Sequence, residues 1–407
     1  MDINTTSAVS QRIKVLDLIR GIAVLGILVM NIQSFTMPIS AYSNPTSFGD
    51  LSGANYGIWL GSHLLFDMKF MTLFSVLFGV GIAIFSERVT QKEGYSGKRH
   101  YVRMFWLLII GLLHAYLIWW GDILTLYAVS GCIAYLFLQS PARTLLITGL
   151  GLVSCMFVIM MGTGAILPHL PEEDVIKDIM PLWQPGAEAI KAEIAALNGS
   201  WSELHAQRIE HALVLQSNLV LYGFRIVGLM LIGMALYKSG FIKQVYSTRT
   251  YLLVAMVSLA LGYWLTWEGV LFNEHHEFSW KYSLAWGTQF NYWGSLFVAL
   301  GYLSLILVWG KNIDASLIKR SLSSVGKMAF TNYLMQSIIC ASLLWGTGFA
   351  LFGQLDRFEQ LLWVLGIWVV CIGFSVAWLK RFEYGPAEWV WRCLTYGKLF
   401  PLIRQDK

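Results

Sequence analysis

Apolar residues in this chain gather into long, nearly unbroken runs separated by short polar segments, not into the two-residue alternation of a half-buried strand. Runs near the roughly 20 residues that cross a bilayer as a helix fall at about 13–34, 57–86, 104–121, 123–140, 143–167, 212–237, 250–272, 290–310, 326–351 and 360–380. The pattern predicts an all-α fold, a polytopic integral membrane helical bundle of about ten transmembrane helices forming a single domain. Its longest polar segment, about 168–210, is acidic and opens with Pro168 and Pro171, and its Ala and Glu content predicts short surface helices. The last stretch, about 382–407, mixes aromatic and basic residues and is expected along the cytoplasmic interface with Trp389 and Trp391 as anchors. No internal repeat stands out.

Composition sharpens this reading. Hydrophobic residues make up 56% and charged residues 13% of the 407, far from the roughly 25% charged residues of soluble domains. The formal charge of +5 does not point to nucleic acid, because the basic residues sit in short segments between apolar runs. With the N-terminus placed in the cytoplasm, 22 of the 29 Lys and Arg fall inside, five fall outside (Lys177, Lys191, Arg208, Lys281, Arg357) and two lie within spans (Lys69, Arg225). The positive-inside rule therefore puts both termini in the cytoplasm. Arg12 and Lys14 precede the first run without a cleavage site closing it, so that run reads as a retained helix. The five cysteines have no C-x-x-C spacing and read as helix-packing residues.

Ionisable groups inside a span cost about 2.5–3.5 kcal/mol each on insertion scales, so each raises a question of function. Asp17 and Arg20 share a face of the first helix, as an ion pair or an anion site. In the second span His63 and Asp67 share a face, whereas an unbroken helix points Lys69 about 200 degrees away from Asp67. The third span carries His114, with Asp122 just beyond a short turn, which suits a base and its orienting carboxylate or, equally, a buried histidine beside interfacial Trp119 and Trp120. Arg225 suits an anion or a structural pair with Asp122 or Asp67. Glu274, His275, His276 and Glu277 read as a solvated outer loop, so no metal site is expected. Gly79, Gly81, Gly111, Gly228 and Gly233 match no phosphate loop and read as close helix packing.

Five stretches, Leu16 to Asn31, Lys69 to Gly81, Gly111 to Ala128, Met328 to Ser337 and Gly385 to Tyr396, resemble in order the bacterial YeiB-like membrane proteins, long classed by a domain of unknown function. The first helix also resembles that of the wider transmembrane acyltransferase superfamily, which includes heparan-alpha-glucosaminide acetyltransferase. There an arginine is followed, after ten intervening positions, by a catalytic or near-catalytic residue; here these are Arg20 and Asn31. Envelope acyltransferases carry histidine at the second position, and asparagine is no general base at neutral pH. His114 is therefore expected to take the base role, oriented by Asp122, with Asn31 or Lys69 steadying the oxyanion. The resemblance implies acyl-coenzyme A as cosubstrate, acetyl-coenzyme A first, with no metal. Arg20, Lys69, Arg99 and Arg103, with Lys98 beside them, would hold its phosphates. The acceptor, a small molecule or glycan with a hydroxyl or amine, would sit at the outer side or among the membrane lipids; homo-oligomerisation is left open. A carrier for a small organic anion or lipid intermediate is the rival reading, with Arg20, Lys69 and Arg225 on the substrate and His114 with Asp122 relaying protons. A scaffold whose charges serve packing is a third.

Overall fold

The computed structural model describes residues 3–404, leaving the side chains of residues 3–14 and 315 undescribed. Arg12 and Lys14 thus lie outside the described side chains, and positions 405–407 of the expected tail outside the described residues. The first half of the bundle comprises α1 (Ile3–Thr36), α2 (Gly53–Leu65), α3 (Lys69–Glu93), α4 (Gly97–Leu117), α5 (Leu124–Tyr135) and α6 (Ala142–Ile166). Next come α7 (Ala187–Asn198), α8 (Trp201–Ser217), α9 (Leu219–Lys238), α10 (Thr248–His275) and α11 (Thr288–Trp309). The chain closes with α12 (Leu317–Lys327), α13 (Ala329–Leu344), α14 (Arg357–Trp378) and α15 (Pro386–Tyr396). Among the described residues eight segments are long and apolar enough to cross a membrane, and the shorter apolar helices α5 and α13 stand where the fourth and ninth crossings are expected.

Three boundaries depart from the hydropathy reading. The second run is two helices, α2 and α3, broken at 66–68, where Met68 takes a left-handed backbone with φ of 62°. The third helix stops at Leu117, four residues before the apolar run ends, and residues 118–123 form an irregular turn. Arg99 and Arg103, expected in a basic loop, instead lie in the first two turns of α4. Hydropathy averages over a window and is blind to the backbone break that a side-chain network stabilises.

Small residues set the helix spacing, as lipid tails supply no hydrophobic contrast to drive helices together. A Cβ on Gly79 of α3 would strike the Met230 carbonyl of α9, and one on Gly233 of α9 would strike the Val76 carbonyl of α3. Gly149 and Gly228 let α6 and α9 approach in the same way, and Gly111 of α4 admits Thr125 of α5. Gly81 breaks the expectation: nothing lies within 4 Å of its would-be Cβ, so close packing does not account for it.

The connections gather at two ends. At one, Ile39 N–H donates to Glu193 (3.0 Å), Asn44 donates to the Trp183 carbonyl (3.1 Å), and Trp183 Nε1 donates to the Phe278 carbonyl (2.8 Å). Gly346 N–H donates to the Leu197 carbonyl at 2.9 Å at the same end. The acidic segment does form short helices, but they cap this end rather than float on it, since Trp183, Leu197 and Leu204 are buried. At the other end Lys238 donates to the Leu138 carbonyl (2.6 Å), and Trp391 of α15 donates through Nε1 to the Arg103 carbonyl (2.9 Å). Trp391 is thus held by protein. Glu388 of α15 accepts from the Phe330 and Thr331 amides at 2.8 and 3.2 Å, capping the otherwise open start of α13. Burial pushes the Glu388 carboxyl above the ordinary glutamate range, opposed by its hydrogen bonds to Thr331 and Phe330.

Candidate functional site

The end of α4 builds the first cluster. The amides of Ile118 and Trp119 both turn back to the His114 carbonyl, at 3.0 and 2.9 Å, so the chain leaves the helix directly over this residue. Four residues on, Asp122 accepts from the Thr125 amide at 2.7 Å through Oδ2 and so caps the first turn of α5. Its other oxygen, Oδ1, lies 2.9 Å from His114 Nδ1, and the two side chains are 1% and 2% exposed. One carboxylate therefore starts a helix and orients a histidine. A carboxylate only accepts, so Nδ1 carries the proton and the Nε2 lone pair is left over. Among the described residues Nε2 is buried with no hydrogen-bond partner, as is Nε1 of neighbouring Trp119.

Aromatic rings surround this histidine. Tyr333 of α13 lies 5.2 Å from it, and its hydroxyl accepts the Ile123 amide at 3.3 Å. Trp119 stands edge-on at 6.1 Å and stacks on Phe35 of α1 at 4.6 Å. Asn31 lies one turn before Phe35 on the same side of α1, and no side-chain hydrogen bond holds it among the described residues. Asp17, Arg20, Ile27, Asn31 and Ser34 recur at helical spacing as the partly accessible stripe of a helix that is otherwise mostly buried.

Arg20 donates to Asp17 at 2.9 Å and lies within electrostatic reach of Arg103, while Lys327 faces Asp17. The Arg103 guanidinium stacks between Phe85 (4.7 Å) and Trp391 (4.2 Å), which fixes its fork. Arg20 precedes Asn31 by eleven residues on α1, and Arg103 precedes His114 by eleven on α4. Eleven residues are about three turns and about 16 Å, returning to the same face. Two helices thus carry a cation low on one face and a polar group high on it. Arg99 is paired with Glu93 at 3.0 Å and lies over Tyr396.

The helix break builds the second cluster. Lys69, 0% exposed, donates to the His63 carbonyl at 2.6 Å and to Asn291 Oδ1 of α11. Asn291 in turn donates to Asp67 Oδ2 at 2.7 Å, and His63 Nδ1 lies 3.0 Å from the same oxygen. The expectation that Lys69 points away from Asp67 fails, because Met68 reverses the backbone between them and Asn291 bridges both. His63 and Asp67 do share a face. Arg225 of α9 donates to the Tyr292 carbonyl (3.0 Å), Thr72 (3.0 Å) and Ser295 (2.8 Å), and stacks on the Tyr292 ring. It feels the Asp67 charge without touching it, and none of its contacts is to Asp122. Ser75, one turn beyond Thr72, bonds the Tyr127 hydroxyl at 2.8 Å and so links α3 to the histidine side.

Sequence reasoning overlooked Tyr333 and Asn291. Each is a neutral polar residue in an apolar run, and only ionisable groups raise an alarm on a hydropathy scale. Tyr333 does fall within the stretch Met328 to Ser337.

The comparisons place this chain in a family. The family described as "Protein of unknown function (DUF418)" matches residues 236–398. The uncharacterized protein YeiB of Escherichia coli (strain K12) is 32% identical over 394 residues, covering 95% of this chain and 97% of that protein. The uncharacterized protein YxaH of Bacillus subtilis (strain 168) is 31% identical over 413 residues, covering 98% of each. No solved structure matches. End-to-end similarity of this extent, across both the helices that hold His114 and those that hold Lys69, means that the chain belongs to the YeiB-like, DUF418 family.

Proposed function

We propose that this protein is a transmembrane acyltransferase of the bacterial cytoplasmic membrane, with both termini cytoplasmic, using acyl-coenzyme A and an acceptor hydroxyl or amine. The observation that carries the reading is His114, its Nδ1 held by Asp122 and its Nε2 buried without a partner. A base oriented by a carboxylate, with its second nitrogen left over, is the arrangement that proton abstraction needs.

The residues suit each step. Arg20 and Arg103 at the α15 end hold coenzyme A phosphates, with guanidinium forks matched to phosphate oxygens. The thioester then reaches about three turns up the two helices. His114 Nε2 takes the acceptor proton as the acceptor oxygen or nitrogen bonds to the thioester carbon. Asn31 donates to the oxyanion that forms. The C–S bond breaks, the imidazolium returns its proton to the departing thiolate, and the acylated acceptor and free coenzyme A leave.

Release of free thiol from acetyl-coenzyme A by the purified protein, with a glycan or lipid acceptor supplied, tests the reading. Activity is expected in the parent and absent in His114→Ala; equal rates in the two overturn it. A saturable thermal stabilisation by acetyl-coenzyme A, lost in Arg20→Ala, is expected alongside.

One observation favours a second reading. The break at 66–68 puts non-helical backbone, Lys69 and Asp67 together inside the bundle, as in carriers whose discontinuous helices bind substrate near the midplane. A carrier exchanges labelled organic anion across proteoliposomes without cleaving a thioester.

A further inference from the structure

Arg357 opens α14 and is 2% exposed, yet its guanidinium makes a single hydrogen bond, from Nη1 to Gln33 Oε1 of α1 at 3.3 Å. Its Nε and Nη2 are buried without an acceptor among the described residues. These two nitrogens share one edge of the planar group, the two-pronged edge that meets paired oxygens of a phosphate or carboxylate. Such a buried charge is costly when its donors go unmet.

The edge belongs to a recess between α1, α2 and α14, where Gln33, Ser62 and Gln360 supply polar atoms and Ile32, Ile58 and Val364 an apolar wall. Ser62 and Gln360 are themselves committed, donating to the Trp59 carbonyl (2.8 Å) and the Leu355 carbonyl (3.3 Å). Arg357 is therefore the group with capacity to spare. Asp356 and Glu359 already cap the first turn of α14, so the recess draws its positive charge from the guanidinium alone. The recess lies at the α7 and α8 end of the bundle, where Ile39, three residues past α1, meets Glu193. Beside it, Gly57 and Gly61 of α2 have nothing within 4 Å of a would-be Cβ.

We infer that the recess between α1, α2 and α14 is a binding site for a phosphate group, of a lipid headgroup or a free anion, held side-on by Arg357. It does not rest on the transfer reading, because Gln33 and Asn31 are two residues apart and point to opposite sides of α1.

The test is the thermal midpoint of the full chain, stripped of lipid in detergent and titrated separately with phosphatidylglycerol and inorganic phosphate. Phosphatidylglycerol is expected to raise the midpoint saturably in the parent, with apparent affinity at least tenfold weaker in Arg357→Lys, which keeps charge but loses the fork. Arg357→Met is expected to lose the shift while matching or exceeding the parent's lipid-free midpoint, since it removes a charge with unmet donors. Ile58→Trp, which narrows the recess and leaves Arg357 in place, is expected to lose the shift too. A shift with inorganic phosphate alone, lost in the same variants, supports the anion site with a soluble source. No shift with either probe, or equal shifts in the parent and all three variants, overturns the inference.

Discussion

His114 with Asp122 and Lys69 with Asp67 are both buried groupings of a basic side chain with a carboxylate, yet they differ in what they leave unpaired. Around Lys69 the ammonium meets a carbonyl and an amide oxygen, and Asp67 meets an amide and an imidazole. Around His114 each Asp122 oxygen meets one donor, and among the described residues one imidazole nitrogen has nothing to bond. A satisfied network rigidifies the backbone that it bridges, here a helix break. A half-satisfied one is costly, and on the transfer reading proposed above it is where a reacting group would be received.

Breaking the comparison starts with the histidine. His114→Asn keeps a donor facing Asp122 but removes the base, and should lower the acyl-transfer rate by about 10²- to 10⁴-fold while the thermal midpoint stays near the parent's. Lys69→Met should do the reverse, costing about 3–5 kcal/mol of stability because Asp67 is left charged and buried. Asp67→Asn added to it should restore most of that loss in a denaturation series. If Lys69→Met folds as well as the parent and loses only turnover, the two clusters exchange roles.

Smaller effects sharpen the frame that holds both clusters. Gly233→Val forces α9 away from α3 and should cost about 1–3 kcal/mol, whereas Gly81→Ala, with open space before it, should stay within about 0.5 kcal/mol. Equal costs would mean that the space at Gly81 closes in the membrane. The smallest effect concerns Glu388. Its carboxyl holds a proton more tightly when α15 is docked, so that contribution to stability is full below the ordinary glutamate range and fades as pH rises through the raised value. Glu388→Gln should flatten that part of a stability-against-pH curve, and an unchanged slope would assign the dependence to another group.

Some of this was legible before any coordinates. Asp17 with Arg20 and His63 with Asp67 are one helical turn apart, so spacing alone paired them correctly. His114 with Asp122 required the chain to turn sharply after Leu117, which spacing permits but does not demand. An unbroken helix points Lys69 the wrong way, and the carboxylate pairing offered for Arg225 fails because its hydrogen-bond partners are neutral groups on two other helices. Arg99 looked equivalent to Arg103 in sequence, yet it pairs with Glu93 while Arg103 stacks on Phe85 and Trp391.

The sequence by itself determined that this is a helical membrane bundle, where most of its crossings lie and which family it joins, because length and hydropathy of each run are local properties. Tertiary structure alone decided that α2 and α3 are separate, that Tyr333 and Trp119 enclose His114, and that Glu388 caps α13. Those outcomes depend on hydrogen bonds between residues as far apart in the chain as Lys69 and Asn291, and a run of hydropathy carries no record of which distant partner will satisfy a buried polar atom.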